Sequence, residues 1–283
     1  MRIRFGGVPE HFNYLWHWSY THELFRKGGH YLDWTDFKGG TGAMIESLEN
    51  DEVDMAIMLT EGAIAAIDKG HDFKICLPFV ISPLIWGIFS SAQRKNDLPK
   101  DYAHSKFAVS RKYSGSHLMS HFLASKNGAD LSDENFVIAQ NLEGAINVLK
   151  DGQADYFLWE KYMTMNVVAD GIFKYNGQVT APWPAFVFVR KTDNQKIETS
   201  DLKTLLDEAV SNFLSWSRPE AIAEISEFFG LRYQDTEAWF NEVKYYDGNN
   251  YWKDRITAAQ YIMQKNGMCK SIHSLEKLCD ADT

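Results

Sequence analysis

Cysteine is scarce in this 283-residue chain. The three cysteines, Cys76, Cys269 and Cys279, are irregularly spaced, and the sequence contains no CxxC pair or Cys/His zinc pattern. An odd number of cysteines at such spacings argues against a disulfide framework and against a structural zinc site. We therefore predict reduced thiols, which are typical of a reducing compartment.

The sequence also lacks a long apolar run and a cluster of basic residues. No stretch approaches the length of a membrane span, and the first residues, Met1-Arg-Ile-Arg-Phe5, read as a strand without an apolar leader. The formal net charge is −9 and the basic residues are scattered, which argues against binding to nucleic acid or to an anionic membrane. The sequence therefore predicts a soluble cytoplasmic protein, or a periplasmic one if an export segment has been removed.

Motifs for nucleophilic catalysis and nucleotide binding are missing as well. The sequence shows no GxSxG elbow, no P-loop, no GxGxxG fingerprint and no catalytic cysteine context. These absences favour a binding protein over an enzyme, and no cofactor or metal is predicted.

The most informative feature that is present is a repeated phrase. Leu48-Glu-Asn-Asp-Glu-Val-Asp54 precedes an apolar run and Thr60-Glu61, and Leu149-Lys-Asp-Gly-Gln-Ala-Asp155 precedes an apolar run and Trp159-Glu160. Each copy reads as a helix end, a tight turn and a buried strand. Two copies in a chain of this length predict two similar α/β halves, and a cleft between halves is a favoured place for a ligand.

Strand and helix signals alternate along the chain, which predicts an α/β fold with parallel sheets. A long strand-like stretch over 75–91, interrupted by two prolines, and a strand over 185–190 are interpreted as crossings between lobes. The predicted lobe I combines 1–86 with 186–283, and the predicted lobe II is the insertion 87–185.

Helices are predicted at both ends of lobe I. An aromatic-rich segment over 12–25 predicts the first helix. From Thr199 the apolar spacing is helical, with a capping box beginning at Ser217 and a helix end near Gly230.

This organisation resembles the type II periplasmic binding protein fold, with two lobes, two crossover strands and a helical C-terminal segment. Local phrases are similar to the branch that includes nitrate-, sulfonate- and thiamine-pyrimidine-binding proteins. These phrases are Gly39-Gly40, Glu52-Val-Asp-Met-Ala-Ile57, Ser114-Gly-Ser-His117, Gly152-Gln-Ala-Asp-Tyr156 with Trp159-Glu160, and Phe213-Leu-Ser-Trp216. The resemblance implies that lobes closing about a hinge near Trp86 and Phe186 enclose a ligand.

The resemblance also implies a ligand site at strand ends and helix N-termini. Helix N-termini offer unpaired N–H groups and a partial positive charge. The residues at these positions are Glu10, His11, Gly40, Thr41, Thr60, Glu61, Ser114, Gly115, Ser116, His117, Trp159 and Glu160.

Each candidate has an ordinary structural alternative. Ser114-Gly-Ser-His117 can bind a polar head group or simply cap a helix. Glu10, Glu61 and Glu160 would suit an amino-bearing ligand, but a glutamate that opens a helix can also just complement the helix dipole. Trp159 can stack on a planar ligand or belong to the core.

His117 and His121 are four residues apart on a predicted helix, a spacing that can place both on a metal ion. The sequence shows no HExxH glutamate and no obvious third ligand. Capping and packing are therefore the favoured interpretation of this pair.

We expect a small-molecule binding protein for a polar metabolite that is anionic, or planar and nitrogen-containing. A sulfonate, nitrate or a thiamine-pyrimidine precursor would fit this description. No nucleic-acid partner is expected, a membrane transporter is doubtful without an export signal, and the oligomeric state is left open.

Two alternatives stay open: an intracellular enzyme on the same fold, for example of the menaquinone pathway, and a ligand-sensing protein without a transporter. The chemistry of the fungal thiamine-pyrimidine synthase is disfavoured, because the strand Met55-Ala-Ile-Met-Leu59 lacks a lysine and the chain lacks a cysteine cluster.

Overall fold

The structure, a computed structural model, describes residues 2–22, 31–95, 99, 101–194, 196–249 and 251–280. The strands are β1 Arg2–Gly7, β2 Tyr31–Asp36, β3 Met55–Leu59, β4 Phe73–Val80, β5 Ile85–Ser91, β6 Phe107–Val109, β7 Phe136–Ile138, β8 Tyr156–Glu160, β9 Phe173–Thr180 and β10 Phe186–Lys191. The helices are α1 Tyr14–Thr21, α2 Gly40–Glu49, α3 Thr60–Asp68, α4 Gly115–Lys126, α5 Leu142–Lys150, α6 Lys161–Ala169, α7 Thr199–Ser215, α8 Arg218–Phe229, α9 Tyr233–Glu242, α10 Trp252–Lys265 and α11 Leu275–Leu278.

The chain divides into two compact units. Unit 1 comprises Met1–Pro83, Trp183–Tyr261 and Cys269–Thr283. Its sheet has the strand order β2-β1-β3-β10-β4, in which β1 pairs in parallel with β2 and β3, and β10 runs antiparallel to β3 and β4. The apolar run of β3 is buried along nearly its whole length, as expected for a central strand that is covered on both faces.

Unit 2 comprises Leu84–Pro182 and Ile262–Met268. Its sheet has the order β7-β6-β8-β5-β9, with β6 parallel to β7 and β8, and β5 antiparallel to β8 and β9. A core of buried side chains, including Phe89, Phe157 and Phe173, packs against this sheet.

The prediction of parallel sheets was wrong, because both sheets are mixed. Each has three parallel strands joined through helices, followed by one antiparallel strand, which is β10 in unit 1 and β5 in unit 2. The fifth strand, β4 or β9, pairs antiparallel with that strand at the edge of the sheet. An alternating pattern of strands and helices does not reveal strand direction, since an antiparallel neighbour needs no crossover helix.

The stretch over 75–91 does pass from one unit to the other, as it was interpreted. Residues 73–80 form β4 in unit 1, residues 85–91 form β5 in unit 2, and Pro83 lies in the segment that separates them. The length of the stretch was the signal, because it exceeds that of a single strand. The predicted lobe boundaries at 86/87 and 185/186 stay a prediction.

Several helix predictions need correction. The first helix divides into a 3-10 turn at His11–Asn13 and α1, and its predicted end over 23–25 lies outside the described residues. Helix α6 and strand β9 were missed, because mixed polar and apolar residues obscure the period of both. Ser217 makes no side-chain cap bond, although Gly230 ends α8 with a left-handed φ of 63°, as predicted.

None of the helices within the described part of the chain combines the length and apolarity that a membrane crossing requires.

Candidate functional site

In unit 1, the carboxyl ends of β1 and β3 lie at the same edge of the sheet, because the two strands are parallel neighbours. The chain leaves β1 past Gly6, where a Cβ atom would come within 2.0 Å of the Thr35 carbonyl oxygen, so only glycine fits. It then enters the turn at Glu10. This edge therefore gathers the segment after β1 and the start of α3.

Helix α2 begins with a glycine-rich turn. Gly39 is the N-cap and makes no side-chain cap bond, and Gly40 has a φ of 63°. A Cβ atom at Gly62 would lie 2.9 Å from the Thr41 side chain, so the first turns of α2 and α3 are in contact. Because no side chain in the described part of the chain caps the start of α2, this helix N-terminus can accept an anionic group.

The start of α3 is tied to the segment before β10. The Thr60 hydroxyl donates to the Pro184 carbonyl oxygen at 2.6 Å, and the Thr60 N–H donates to the Ala185 carbonyl oxygen at 3.2 Å. Thr60 is fully buried. Its predicted place at a strand end is therefore correct, and its hydroxyl proton is engaged within unit 1.

Glu61 is a buried carboxyl group in the first turn of α3. The Trp183 indole N–H donates to its Oε2 at 2.8 Å, whereas its Oε1 has no hydrogen-bond partner among the described residues. Burial raises the pKa of Glu61 to about 7, although the hydrogen bond from Trp183 opposes the rise. Near neutral pH this group can therefore either carry a proton to donate or act as a carboxylate.

Glu10 and His11 follow β1. Burial raises the pKa of the half-buried Glu10 to about 7. His11 is fully buried, its ring lies 4.4 Å from the Trp239 ring, and burial lowers its pKa to about 3. His11 is therefore a neutral imidazole in an aromatic environment at physiological pH.

In unit 2, the Ser-Gly-Ser phrase forms the start of α4. Ser114 is the N-cap and accepts from the His117 N–H at 3.4 Å. The Ser116 hydroxyl accepts from the Ser110 N–H at 3.1 Å and lies 3.0 Å from the Ser114 hydroxyl. Gly115 is the first residue of the helix. The capping alternative is thus confirmed for Ser114.

Trp159 and Glu160 end β8. Trp159 is half-buried, and its ring stacks on Phe157 at 5.2 Å against the core of unit 2. Glu160 is buried and caps α6, because its Oε2 accepts from the Met163 N–H at 2.6 Å. Both residues have structural roles in unit 2, and their part in ligand binding stays a prediction.

The structure therefore brings together Thr41, Thr60 and Glu61 in unit 1, and Ser114, Gly115, Ser116 and His117 in unit 2. The sequence analysis did not identify Trp183 as the hydrogen-bond partner of Glu61. The proline on each side of Trp183 was the available signal, since it marks a turn next to a predicted strand. Within the described ranges no group of three or more His, Cys, Asp or Glu side chains could hold a metal ion.

Solved structures share this fold across nearly the whole chain. A Candida albicans protein, the CA3427 gene product, which defines a family with the generic periplasmic binding protein fold, is 22% identical over 98% of this chain and 93% of its own, with a TM-score of 0.83. The aliphatic sulphonate binding protein SsuA of Escherichia coli is 14% identical over 98% and 97%, with a TM-score of 0.76. The alkanesulfonate-binding protein SsuA of Xanthomonas axonopodis pv. citri, solved with MOPS bound, is 13% identical over 99% and 96%, with a TM-score of 0.78.

The chain therefore has the type II periplasmic binding protein fold, and the predicted resemblance is confirmed. The family described as Ca3427-like PBP matches residues 86–179, all of which lie in unit 2. No curated protein matches the sequence.

Proposed function

We propose that this chain is a solute-binding protein for a small anionic metabolite, and that the N-terminus of α2 receives the anionic group. The uncapped start of α2 beside the buried Glu61 supports this proposal most strongly. In unit 2, by contrast, side chains cap the helices that follow the three parallel strands: Ser114 for α4, Asn141 for α5 and Glu160 for α6.

The chemistry of Glu61 suits an anion when the carboxyl group is protonated. Its Oε1 is buried and has no hydrogen-bond partner among the described residues, so burial favours the protonated, uncharged form, which does not repel a nearby anion. Because its pKa is about 7, little free energy is needed to protonate it at neutral pH. A sulfonate is the favoured class, since two structural neighbours are described as sulfonate-binding proteins.

The pH dependence of affinity tests this assignment. We expect the affinity for an alkanesulfonate to fall as the pH rises through about 7, because deprotonated Glu61 repels the anion. An amine that binds the Glu61 carboxylate would show the opposite dependence. Calorimetric titration at pH 6 and at pH 8 distinguishes the two classes.

A charge variant at the start of α2 supplies the structural test. Gly42→Asp is expected to weaken sulfonate binding about tenfold or more, because it places a negative charge where the anion would sit. A Cβ atom at Gly42 meets nothing within 4 Å, and an acidic residue favours a helix start, so the variant should stay folded. Gly42→Asn is the matched control of equal size.

Equal loss of binding in the two Gly42 variants would contradict the electrostatic role of α2. In the unchanged protein, a bound sulfonate should stabilise the fold by about 2.7 kcal/mol at a hundredfold excess over the dissociation constant. If mass spectrometry instead showed chemical turnover of the ligand, the protein would be an enzyme.

A further inference from the structure

In unit 2, His117 lies beside both His121 and Met268. His117 and His121 lie one turn apart on α4, and their ring centroids are 4.8 Å apart. The His117 Nδ1 lies 3.3 Å from the Sδ atom of Met268, a residue 151 positions further along the chain. The fold therefore supplies a third donor atom that the HxxxH spacing alone does not show.

The environment keeps both imidazoles neutral. His117 is 5% exposed, and burial, assisted by His121, lowers its pKa to about 4. Burial also lowers the pKa of His121, although Asp133 and Asp130 oppose this shift. A neutral imidazole keeps a nitrogen lone pair for coordination at physiological pH.

The hydrogen bonds around His117 leave a ring nitrogen able to coordinate a metal ion. Its Nε2 is buried and has no hydrogen-bond partner in the part of the chain that the structure describes. Its Nδ1 has only a long contact of 3.4 Å with the Tyr113 N–H in addition to Met268. Neither contact is strong enough to compete with a metal–nitrogen bond.

The donor types select a soft ion. Two imidazoles and a thioether carry no negative charge, and thioether sulfur prefers Cu(I) to hard divalent cations. The Phe136 ring packs against both histidines, with centroid distances of 4.3 Å to His117 and 4.9 Å to His121, which limits access of water. A set of donor atoms without charge, packed against an aromatic ring, suits a monovalent ion.

We propose that His117, His121 and Met268 form a binding site for a soft monovalent metal ion of the Cu(I) or Ag(I) type. Nitrogen and sulfur donors at bond lengths of about 2.0 and 2.3 Å on one ion, at a tetrahedral angle, are roughly 3.5 Å apart. The observed separation of His117 Nδ1 and Met268 Sδ, 3.3 Å, is close to that value. The proposal is independent of the anion site, which lies in unit 1.

Titration of the full chain with Ag(I), followed by NMR of labelled methionine methyl groups, tests the site. One equivalent of Ag(I) should shift the Met268 methyl signal, which is assigned by its loss in Met268→Leu. Anaerobic competition with a Cu(I) chelator should show binding at least about tenfold weaker in Met268→Leu and in His121→Phe. Met263→Leu, which replaces a buried methionine on α10 of unit 2, is the matched control and should bind like the unchanged protein.

The cysteines provide the competing explanation, because thiolates also bind soft ions. If Cys269→Ser abolished binding while Met268→Leu and His121→Phe left it unchanged, the proposed site would be wrong. Absence of any shift of the Met268 methyl signal would also refute it. Circular dichroism of each variant verifies that a loss of binding does not reflect unfolding.

Discussion

The two copies of the repeated phrase form the same structure in two different units. Strand β3 over 55–59 and helix α3 over 60–68 correspond to β8 over 156–160 and α6 over 161–169, each 101 residues later. The turn before the strand uses the same backbone bonds, because Glu52 N–H donates to the Ser47 carbonyl oxygen at 2.9 Å and Gln153 N–H to that of Val148 at 3.0 Å. The repeat therefore includes secondary structure and backbone hydrogen bonds as well as identical residues.

The aspartate that ends each phrase explains why this residue recurs. Asp54 accepts from the Arg4 N–H at 2.8 Å and donates its own N–H to the Arg4 carbonyl oxygen at 2.7 Å. Asp155 makes the same pair with Lys106, at 2.7 and 2.8 Å. In both units this residue ties the incoming chain to the neighbouring parallel strand, at Arg4 within β1 or at Lys106 immediately before β6.

The glutamates that looked equivalent are not. With the offset of 101 residues between the two copies, Glu61 corresponds to Tyr162, and Glu160 corresponds to Leu59. Glu160 is a helix cap with a bonded backbone amide, whereas Glu61 is a buried carboxyl group held by an indole. Glu160 is the last residue of β8, whereas Glu61 lies in the first turn of α3.

The shared aspartates give the largest expected difference between the copies. The Asp54 side chain is 3% exposed and pairs with Arg4 and Lys196, whereas Asp155 is 13% exposed and pairs with Arg94. Asp54→Asn should lower the free energy of unfolding by about 4 kcal/mol, and Asp155→Asn by about 1 kcal/mol. Urea denaturation at pH 7 measures both.

The pH dependence of Asp54 sharpens this comparison. Hydrogen bonds from Arg4 and Lys196 outweigh burial, which acts in the opposite direction, and hold the pKa of Asp54 below its ordinary value. Its stabilising contribution is therefore present above about pH 4 and is lost as the pH falls below that value. Equal losses in the two asparagine variants would show that the copies are energetically alike.

Replacing Glu61 or Glu160 with glutamine should change the stability of the protein in opposite directions. The pKa of Glu61, about 7, lies above its ordinary value near 4.5, so the folded state binds this proton more tightly than the unfolded state does. The contribution of Glu61 to the free energy of unfolding is therefore fully present below about pH 4.5 and is lost as the pH rises to about 7. Glu61→Gln should therefore stabilise the protein by about 3 kcal/mol at pH 8 and have little effect at pH 4.

Glu160→Gln is the matched variant in the second copy. It weakens a helix cap and should destabilise the protein by about 0.5 kcal/mol. Thermal unfolding at pH 4 and at pH 8 records both variants. Destabilisation by Glu61→Gln at pH 8 would mean that an ionised Glu61 is satisfied in the fold.

The smallest expected effect on stability concerns one position in the turn before β3 and β8. Asp51 has a φ of 55°, and its counterpart Gly152 has a φ of 68°. Gly152→Asp should destabilise the protein by about 1 kcal/mol, because an L side chain is strained in this region. Asp51→Gly should stabilise it by about 0.5 kcal/mol, since relief of strain is partly offset by loss of the exposed Lys191 ion pair. Chemical denaturation measures the change in the free energy of unfolding for both variants. A change of the same sign in the two variants would contradict the prediction.

Much of the fold was predictable from local patterns. The strand Met55–Leu59 has its predicted bounds, because an unbroken apolar run is a local signal. Helix α6 and strand β9 were missed because they lack a clear apolar period. Strand direction was mispredicted because it depends on pairing with distant residues, as for β10 between β3 and β4.

For the candidate site, the sequence predicted only which residues lie at helix starts. The sequence indicated that Thr41, Glu61 and Ser116 start helices, since glycine and serine are common there. It did not indicate that Trp183 would hold Glu61 or that burial would raise the pKa of this carboxyl group to about 7. These properties arise from residues more than a hundred positions apart.

The sequence by itself determined that there are two α/β copies and where their turns lie, because hydrophobic period, glycine placement and a recurring aspartate act over short distances. Only the tertiary structure decided which glutamate is a cap and which is a buried acid. It also decided that Met268 lies beside His117. Burial and the packing of distant segments set the protonation and the partners of a side chain, and neither is encoded in the residues next to it.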